Sequence, residues 1–177
     1  MKLLLSTLLM FNVSAKAMTM ETGTIFLQIK KNKPEIDTFY AAQLSRIIKK
    51  MTEKYNISSR LYTAILMQES KYKLEATRCN NKIYYVLKDI KKLQKTCTDF
   101  GISQINHRTV SSYNFDKNRL ITDLDYSIEA GLIVLSDFKK NFRKEKEWYT
   151  RYNCGNKGDT NRDTCQAYKK LVNKYLW

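Results

Sequence analysis

Leu61, Tyr62, Ile65, Leu66 and Glu69 recur at steps of three and four residues along the segment LYTAILMQES, residues 61–70. That spacing predicts a helix whose apolar face ends in a carboxylic acid. An acid so placed is short of water, and burial penalises its charged form. The partial negative charge at a helix C-terminus opposes ionisation as well. Glu69 is therefore expected to keep its proton to higher pH than an exposed glutamate does, which suits a general acid. The plain alternative is a helix-end glutamate that turns to solvent.

The rest of the chain reads in the same idiom. One proline and five glycines among 177 residues leave little to interrupt helices, and the length suffices for one domain with a substantial core. Ile36, Phe39, Tyr40, Leu44, Ile47, Ile48 and Met51 follow helical spacing with lysines on the other face. Residues 56–59 supply a turn and cap ahead of the Glu69 helix. Between Ser70 and Phe100 the period breaks, with Tyr84, Tyr85 and Val86 set in lysine-rich sequence, so a small β hairpin or irregular lobe is expected there. Further helices are expected over about 103–112, 125–142, 148–153 and 164–176, the third of these stopped by Gly155. Gly131 in the middle of the long one marks close helix packing. The fold class is thus mainly α with a small β element, in a single domain over 36–177. Residues 18–35, with Lys30, Lys31, Lys33 and Pro34, show no sustained period and read as an irregular N-terminal arm.

Residues 1–17 read as a secretory signal: Lys2, an apolar run from Leu3 to about Val13, and Ala15-Lys16-Ala17 as a small-x-small cleavage site. The run is too short to span a bilayer comfortably. Export makes disulfides the default for Cys79, Cys97, Cys154 and Cys165, none of which has the C-x-x-C spacing of a zinc site. Three connectivities are open. Cys79 with Cys97 and Cys154 with Cys165 is favoured, because each pair brackets a short polar loop. The formal charge of +15 seeks polyanions, and an exported protein meets cell-wall polymers, anionic lipid or lipopolysaccharide more often than nucleic acid. His107, the single histidine, has no metal partners in view, so neither a metal nor an organic cofactor is implied.

Three motifs give the acid a context. Glu69-Ser70 at a helix end, Gly101-Ile102-Ser103-Gln104-Ile105-Asn106 about thirty positions on, and Tyr152-Asn153-Cys154-Gly155 near the C-terminus stand in the order of the soluble lytic transglycosylase family. Over roughly residues 36–177 the chain resembles this branch of the lysozyme superfamily, and it is most like the small specialised transglycosylases of secretion and conjugation systems. It departs from the family pattern in Ile102-Ser103, where Leu-Met is common, and in Cys154, where Ala is common.

The resemblance implies a lysozyme-like fold and cleavage of the β-1,4 bond between N-acetylmuramic acid and N-acetylglucosamine in peptidoglycan glycan strands. Glu69 would act first as acid and then as base, so that the muramic acid 6-hydroxyl closes a 1,6-anhydro ring. Gly101 would let the backbone approach the sugar, Ser70, Ser103 and Gln104 would offer hydrogen bonds, Tyr152 would hold the catalytic carboxyl, and Asn153 would fix the cleft backbone. It also implies an extracytoplasmic monomer, with an envelope-spanning secretion or conjugation machine as a possible partner and no nucleic acid. Asp99 keeps a second reading open, because TDFGISQIN also resembles animal-type lysozymes, in which such an aspartate is the second carboxylate of a retaining hydrolase. A basic cell-wall-binding protein that kept the fold and lost catalysis is the third.

Overall fold

Helical structure begins well before residue 36. The computed structural model describes residues 19–79, 82–84, 97–155 and 163–176, and in it the segment expected to be an irregular arm forms helix α1, Met20–Asn32. Thr19 caps it, accepting from the Thr22 N–H at 3.3 Å. The buried stripe is Thr22, Ile25, Gln28 and Ile29. Two of its four members are polar, which hides the helical period from an apolar reading. Fully buried Gln28 donates through Nε2 to the carbonyls of Arg60, at 3.0 Å, and Tyr175, at 2.9 Å. The expected signal segment, residues 1–17, lies outside the described residues.

Helix α2, Thr38–Lys54, starts at Asp37, whose carboxylate accepts from the Tyr40 N–H at 2.7 Å. Its core face is Ala41, Leu44, Ile47, Ile48 and Met51. Phe39, expected on that face, is 87% exposed instead, because it shares the outward face of the helix with exposed Gln43, Arg46 and Lys50. Helix α3, Ser59–Ser70, is capped by Ser58 and buried on nearly every side from Tyr62 to Met67, as befits a helix that is apolar almost all round. It ends without glycine: Lys71 and Tyr72 both take left-handed backbone, at φ 52° and 62°, and their N–H groups return to Met67 and Leu66.

The chain then forms an antiparallel sheet of four short strands, β1 Thr77–Cys79, β2 Lys82–Tyr84, β3 Cys97–Phe100 and β4 Ile105–Asn106, in the order β2-β1-β3-β4. The β1–β2 hairpin answers the expected β element, while residues 85–96 lie outside the described residues. Helices α4 (His107–Tyr113), α5 (Lys117–Thr122) and α6 (Leu124–Asn141) follow, then a 3-10 turn at Trp148–Thr150 running into α7 (Arg151–Cys154), and last α8 (Asp163–Tyr175). Helix α4 starts four residues later than spacing predicts. Ser103 and Gln104 form the turn between β3 and β4, where Gln104 has φ 48°, outside helical backbone. The disulfides are Cys79–Cys97 and Cys154–Cys165, the favoured pairing.

Two apolar cores result. The larger holds α1, α2 and α3 against α8 and one face of α6, through Ile25, Leu44, Ile65, Leu132 and Val172 among others. The smaller sits under the sheet, with Phe100, Ile105, Val110, Leu120, Ala130 and Val134. Helix α6 supplies both. At Gly131 it presses on two side chains, since an added Cβ would stand 2.4 Å from the Tyr62 hydroxyl and 2.5 Å from Ser103 Oγ. Those two hydroxyls stand 2.8 Å apart, and each also lies 2.8 Å from a carbonyl, that of Ile128 for Tyr62 and that of Ser127 for Ser103, so two protons are shared among three buried contacts.

Gly131→Ala must break that network. It should lower the unfolding free energy by a net of about 1–3 kcal/mol, despite the ~1 kcal/mol gain in helix propensity. Denaturant titration checks this as a lower midpoint at unchanged slope.

Candidate active site

The C-terminal end of α3 brings Glu69 to the seam between the two cores, where a cleft of about 580 Å³ opens. Val134 and Phe138 of α6 form an apolar wall, α7 contributes Tyr152, Asn153 and Cys154, and the sheet contributes Arg78, Thr98, Asp99 and Asn106. Ser58 starts α3 and the left-handed Lys71-Tyr72 turn stops it immediately beyond Glu69, so the carboxyl's origin is fixed from both ends of one helix.

Tyr168 on α8 donates to Glu69 Oε1 at 2.7 Å, the one hydrogen bond to this carboxyl among the described residues. Burial pushes the carboxyl up from 4.5 to about 7; the Tyr168 hydrogen bond and the Arg78 charge pull the other way, and the negative charge of Asp99 adds to the rise. Burial also holds the hydroxyls of Tyr168 and Tyr152 well above 10. Both remain donors throughout the neutral range.

Asp99 occupies a row across the sheet. The register sets Arg78 opposite Asp99 and Asp99 opposite Asn106, so strand pairing itself assembles the three side chains on one face. Asn106 Nδ2 donates to Asp99 Oδ1 at 2.8 Å, Thr98 Oγ1 donates to Oδ2 at 3.2 Å, and Arg78 Nε stands 3.5 Å from Oδ2. The Cys79–Cys97 bridge lies next to this row.

Several expected roles change. The Ser70 hydroxyl is fully buried and returns to the Leu66 carbonyl at 3.1 Å, because the face of α3 that carries it is packed. Ser103 is also fully buried, its hydroxyl spent on Tyr62 and the Ser127 carbonyl. Neither side chain offers a hydrogen bond to the cleft. Gly101, at φ +76°, is required by packing instead of by a ligand, since a Cβ would stand 2.0 Å from the Leu120 carbonyl oxygen. Tyr152 does not hold Glu69; it donates to the Ser103 carbonyl at 2.7 Å and thereby ties α7 to the β3–β4 turn. Gln104 and Asn153 do line the cleft. Gln104 Nε2 binds the carbonyls of Ala76, at 2.8 Å, and Gly101, at 2.9 Å, while its Oε1 is buried without a partner among the described residues.

Sequence reading missed Tyr168, Arg78 and Arg108. Tyr168 falls in the stripe Cys165, Tyr168 and Val172, which is indistinguishable from core. Arg78 carried one usable signal, its place directly before a bridged cysteine. Among the described residues no group of three or more His, Cys, Asp or Glu side chains is arranged to hold a metal, and no helix is long and apolar enough to cross a membrane.

A helical body, a small sheet and a desolvated glutamic acid in the cleft between them define a lysozyme-like domain. Residues 46–176 match the Transglycosylase SLT domain, and the chain belongs to that family. At this general level it is a lytic transglycosylase of peptidoglycan, a polymer that lies outside the cytoplasm. The matched span begins within α2 and leaves α1 outside it, although Ile25 and Ile29 of α1 are in the same core. Comparison with curated proteins and with solved structures gave no match.

Two outcomes follow from the Glu69 environment. Tyr168→Phe removes a donor that favours the carboxylate, so the titration midpoint of Glu69 should move upward from about 7, as read from the carboxyl carbon chemical shift across a pH series. The folded pKa of Glu69 exceeds its unfolded value, so its contribution to stability is complete below 4.5 and is lost as pH rises through about 7. Glu69→Gln should therefore melt like the parent in acid and be the more stable above neutrality, by about 3 kcal/mol. Thermal melts at a series of pH values measure it.

Proposed function

We propose that Glu69 cleaves the β-1,4 bond between N-acetylmuramic acid and N-acetylglucosamine, alternating between acid and base. In its protonated form it gives its proton to the glycosidic oxygen. The resulting carboxylate takes the proton of the muramic acid 6-hydroxyl as that oxygen attacks the anomeric carbon. The leaving strand gains a hydroxyl, the other end closes as a 1,6-anhydro sugar, and no water is consumed. The observation that carries this reading is the position of Glu69 on the cleft with Tyr168 on one oxygen; one hydrogen bond steadies the carboxyl without tying up both oxygens. Gln104 lines the same cleft.

Asp99 favours a second reading. It lines the same cleft, and its charge acts on Glu69, so hydrolysis through a stabilised oxocarbenium ion uses the same residues. An export signal in residues 1–17 and service to an envelope-spanning secretion or conjugation machine belong with the first reading. Two disulfides fit export, since such bonds persist in oxidising compartments, and do so under either reading.

Mass spectrometry of digested sacculi separates the readings. Transglycosylation yields fragments lighter by one water than the hydrolytic ones, whereas reducing muramic ends alone favour the lysozyme-type reaction. Glu69→Gln should lose about 10²–10⁴-fold in rate. A Glu69→Gln variant that clears walls as fast as the parent removes Glu69 from the mechanism, and an inactive parent that still binds walls indicates the non-catalytic alternative.

A further inference from the structure

We propose that Arg108 binds the free carboxylates of the stem peptides, so that the cleft prefers glycan whose peptides carry those charges to glycan whose peptide carboxylates are neutralised; this rests on the peptidoglycan-cleaving reading above. The cleft carries two acids, Glu69 and Asp99, and two arginines, Arg78 and Arg108. Arg78 is committed to the row across the sheet, 3.5 Å from Asp99 Oδ2. Arg108 is exposed, and its guanidinium has no hydrogen bond or ion pair among the described residues.

Its backbone is nonetheless held firmly. Asn106 accepts from the Arg108 N–H at 3.0 Å, which caps α4, and the same side chain donates to Asp99 at 2.8 Å. Arg108 thus rises from a backbone position two residues away from the Arg78–Asp99–Asn106 row. Thr109 continues the same wall.

The substrate's chemistry selects the group that meets it. A strand of N-acetylated amino sugars carries no charge along its backbone; its fixed anions are the carboxylates of peptides attached to the muramic acid lactyl groups. Asp99, and Glu69 once ionised, repel such carboxylates from the cleft floor. Arg108 is the cleft cation not engaged by either acid. A guanidinium presents a planar fork of donors that matches a carboxylate with two parallel hydrogen bonds, which a lysine ammonium cannot reproduce.

The test digests sacculi and the same sacculi after carbodiimide-driven amidation of their stem-peptide carboxylates, and compares kcat/KM on the two. The parent protein should favour the untreated sacculi by about 10-fold at low salt, with the preference shrinking as ionic strength rises. Arg108→Ala should bring the ratio close to one, and Arg108→Lys should fall between. A thermal melt matching the parent's shows the variants are folded. A ratio unchanged in Arg108→Ala overturns the proposal, as does a parent protein without preference. A parent that releases no fragments from either substrate overturns instead the cleavage reading on which the proposal stands.

Discussion

Burial of α3 governs the rest of this molecule. Helices α1, α2 and α8 and one face of α6 close around it, so its C-terminal turn has protein on most sides and the cleft on one. Glu69 stands at that turn, and the loss of water there drives its pKa to about 7. The nearby charges oppose each other at this carboxyl: Arg78 draws the pKa down and Asp99 pushes it up. Their partial cancellation leaves desolvation as the dominant influence, which is a property of packing and not of any single neighbour. The left-handed pair Lys71 and Tyr72 belongs to the same constraint. Non-glycine residues in that region cost on the order of 1–3 kcal/mol each, and they persist because buried Tyr72, whose carbonyl accepts from Tyr40 at 2.9 Å, is anchored in the core.

The two disulfides lie against the site in different ways. Cys79–Cys97 joins β1 to β3 beside Arg78 and Asp99, clamping the strand pair whose register builds the cross-sheet row. Cys154–Cys165 joins α7 to α8. It therefore couples the helix that carries Tyr152 and Asn153 to the helix whose Tyr168 holds Glu69. Helix α7 has only four residues and cannot be stable through its own hydrogen bonds; the bridge, the Tyr152–Ser103 hydrogen bond and packing against both cores supply its position. Closing such short loops contributes about 3 kcal/mol apiece in the chain-entropy account.

What could be read from the sequence was what depends on local spacing. The α3 stripe, the long helix α6 with its close packing at Gly131, the β1–β2 hairpin and the bracketing cysteine pairs all follow from neighbours within a turn or a loop. Helix α1 escaped because Thr22 and Gln28 sit in its buried stripe, and Gln28 Nε2 donates to carbonyls 32 and 147 residues away. The site divided in the same manner. Glu69, Asp99, Gln104, Tyr152 and Asn153 carry motif spacing and do line the cleft, whereas Ser70, Ser103 and Gly101 carry the same spacing for reasons of packing. Tyr168 acts on a residue 99 positions away, and nothing in the pattern around it separates a hydrogen-bond donor from a core aromatic.

The state of Asp99 bears on which reaction the cleft supports. A carboxylate that forms a covalent bond to the anomeric carbon needs an oxygen free to approach it. In this cleft Oδ1 accepts from Asn106, and Oδ2 accepts from Thr98 and faces Arg78; each partner stabilises the carboxylate and lowers its readiness to attack. Such a group is better suited to stabilising positive charge that develops on the sugar ring than to bonding with it. Glu69 has a single hydrogen bond among the described residues and a proton to give. In transglycosylation the nucleophile comes from the substrate itself, so a carboxylate that only stabilises charge is enough, and the same row of Arg78, Asp99 and Asn106 can serve that step without leaving the geometry the sheet imposes.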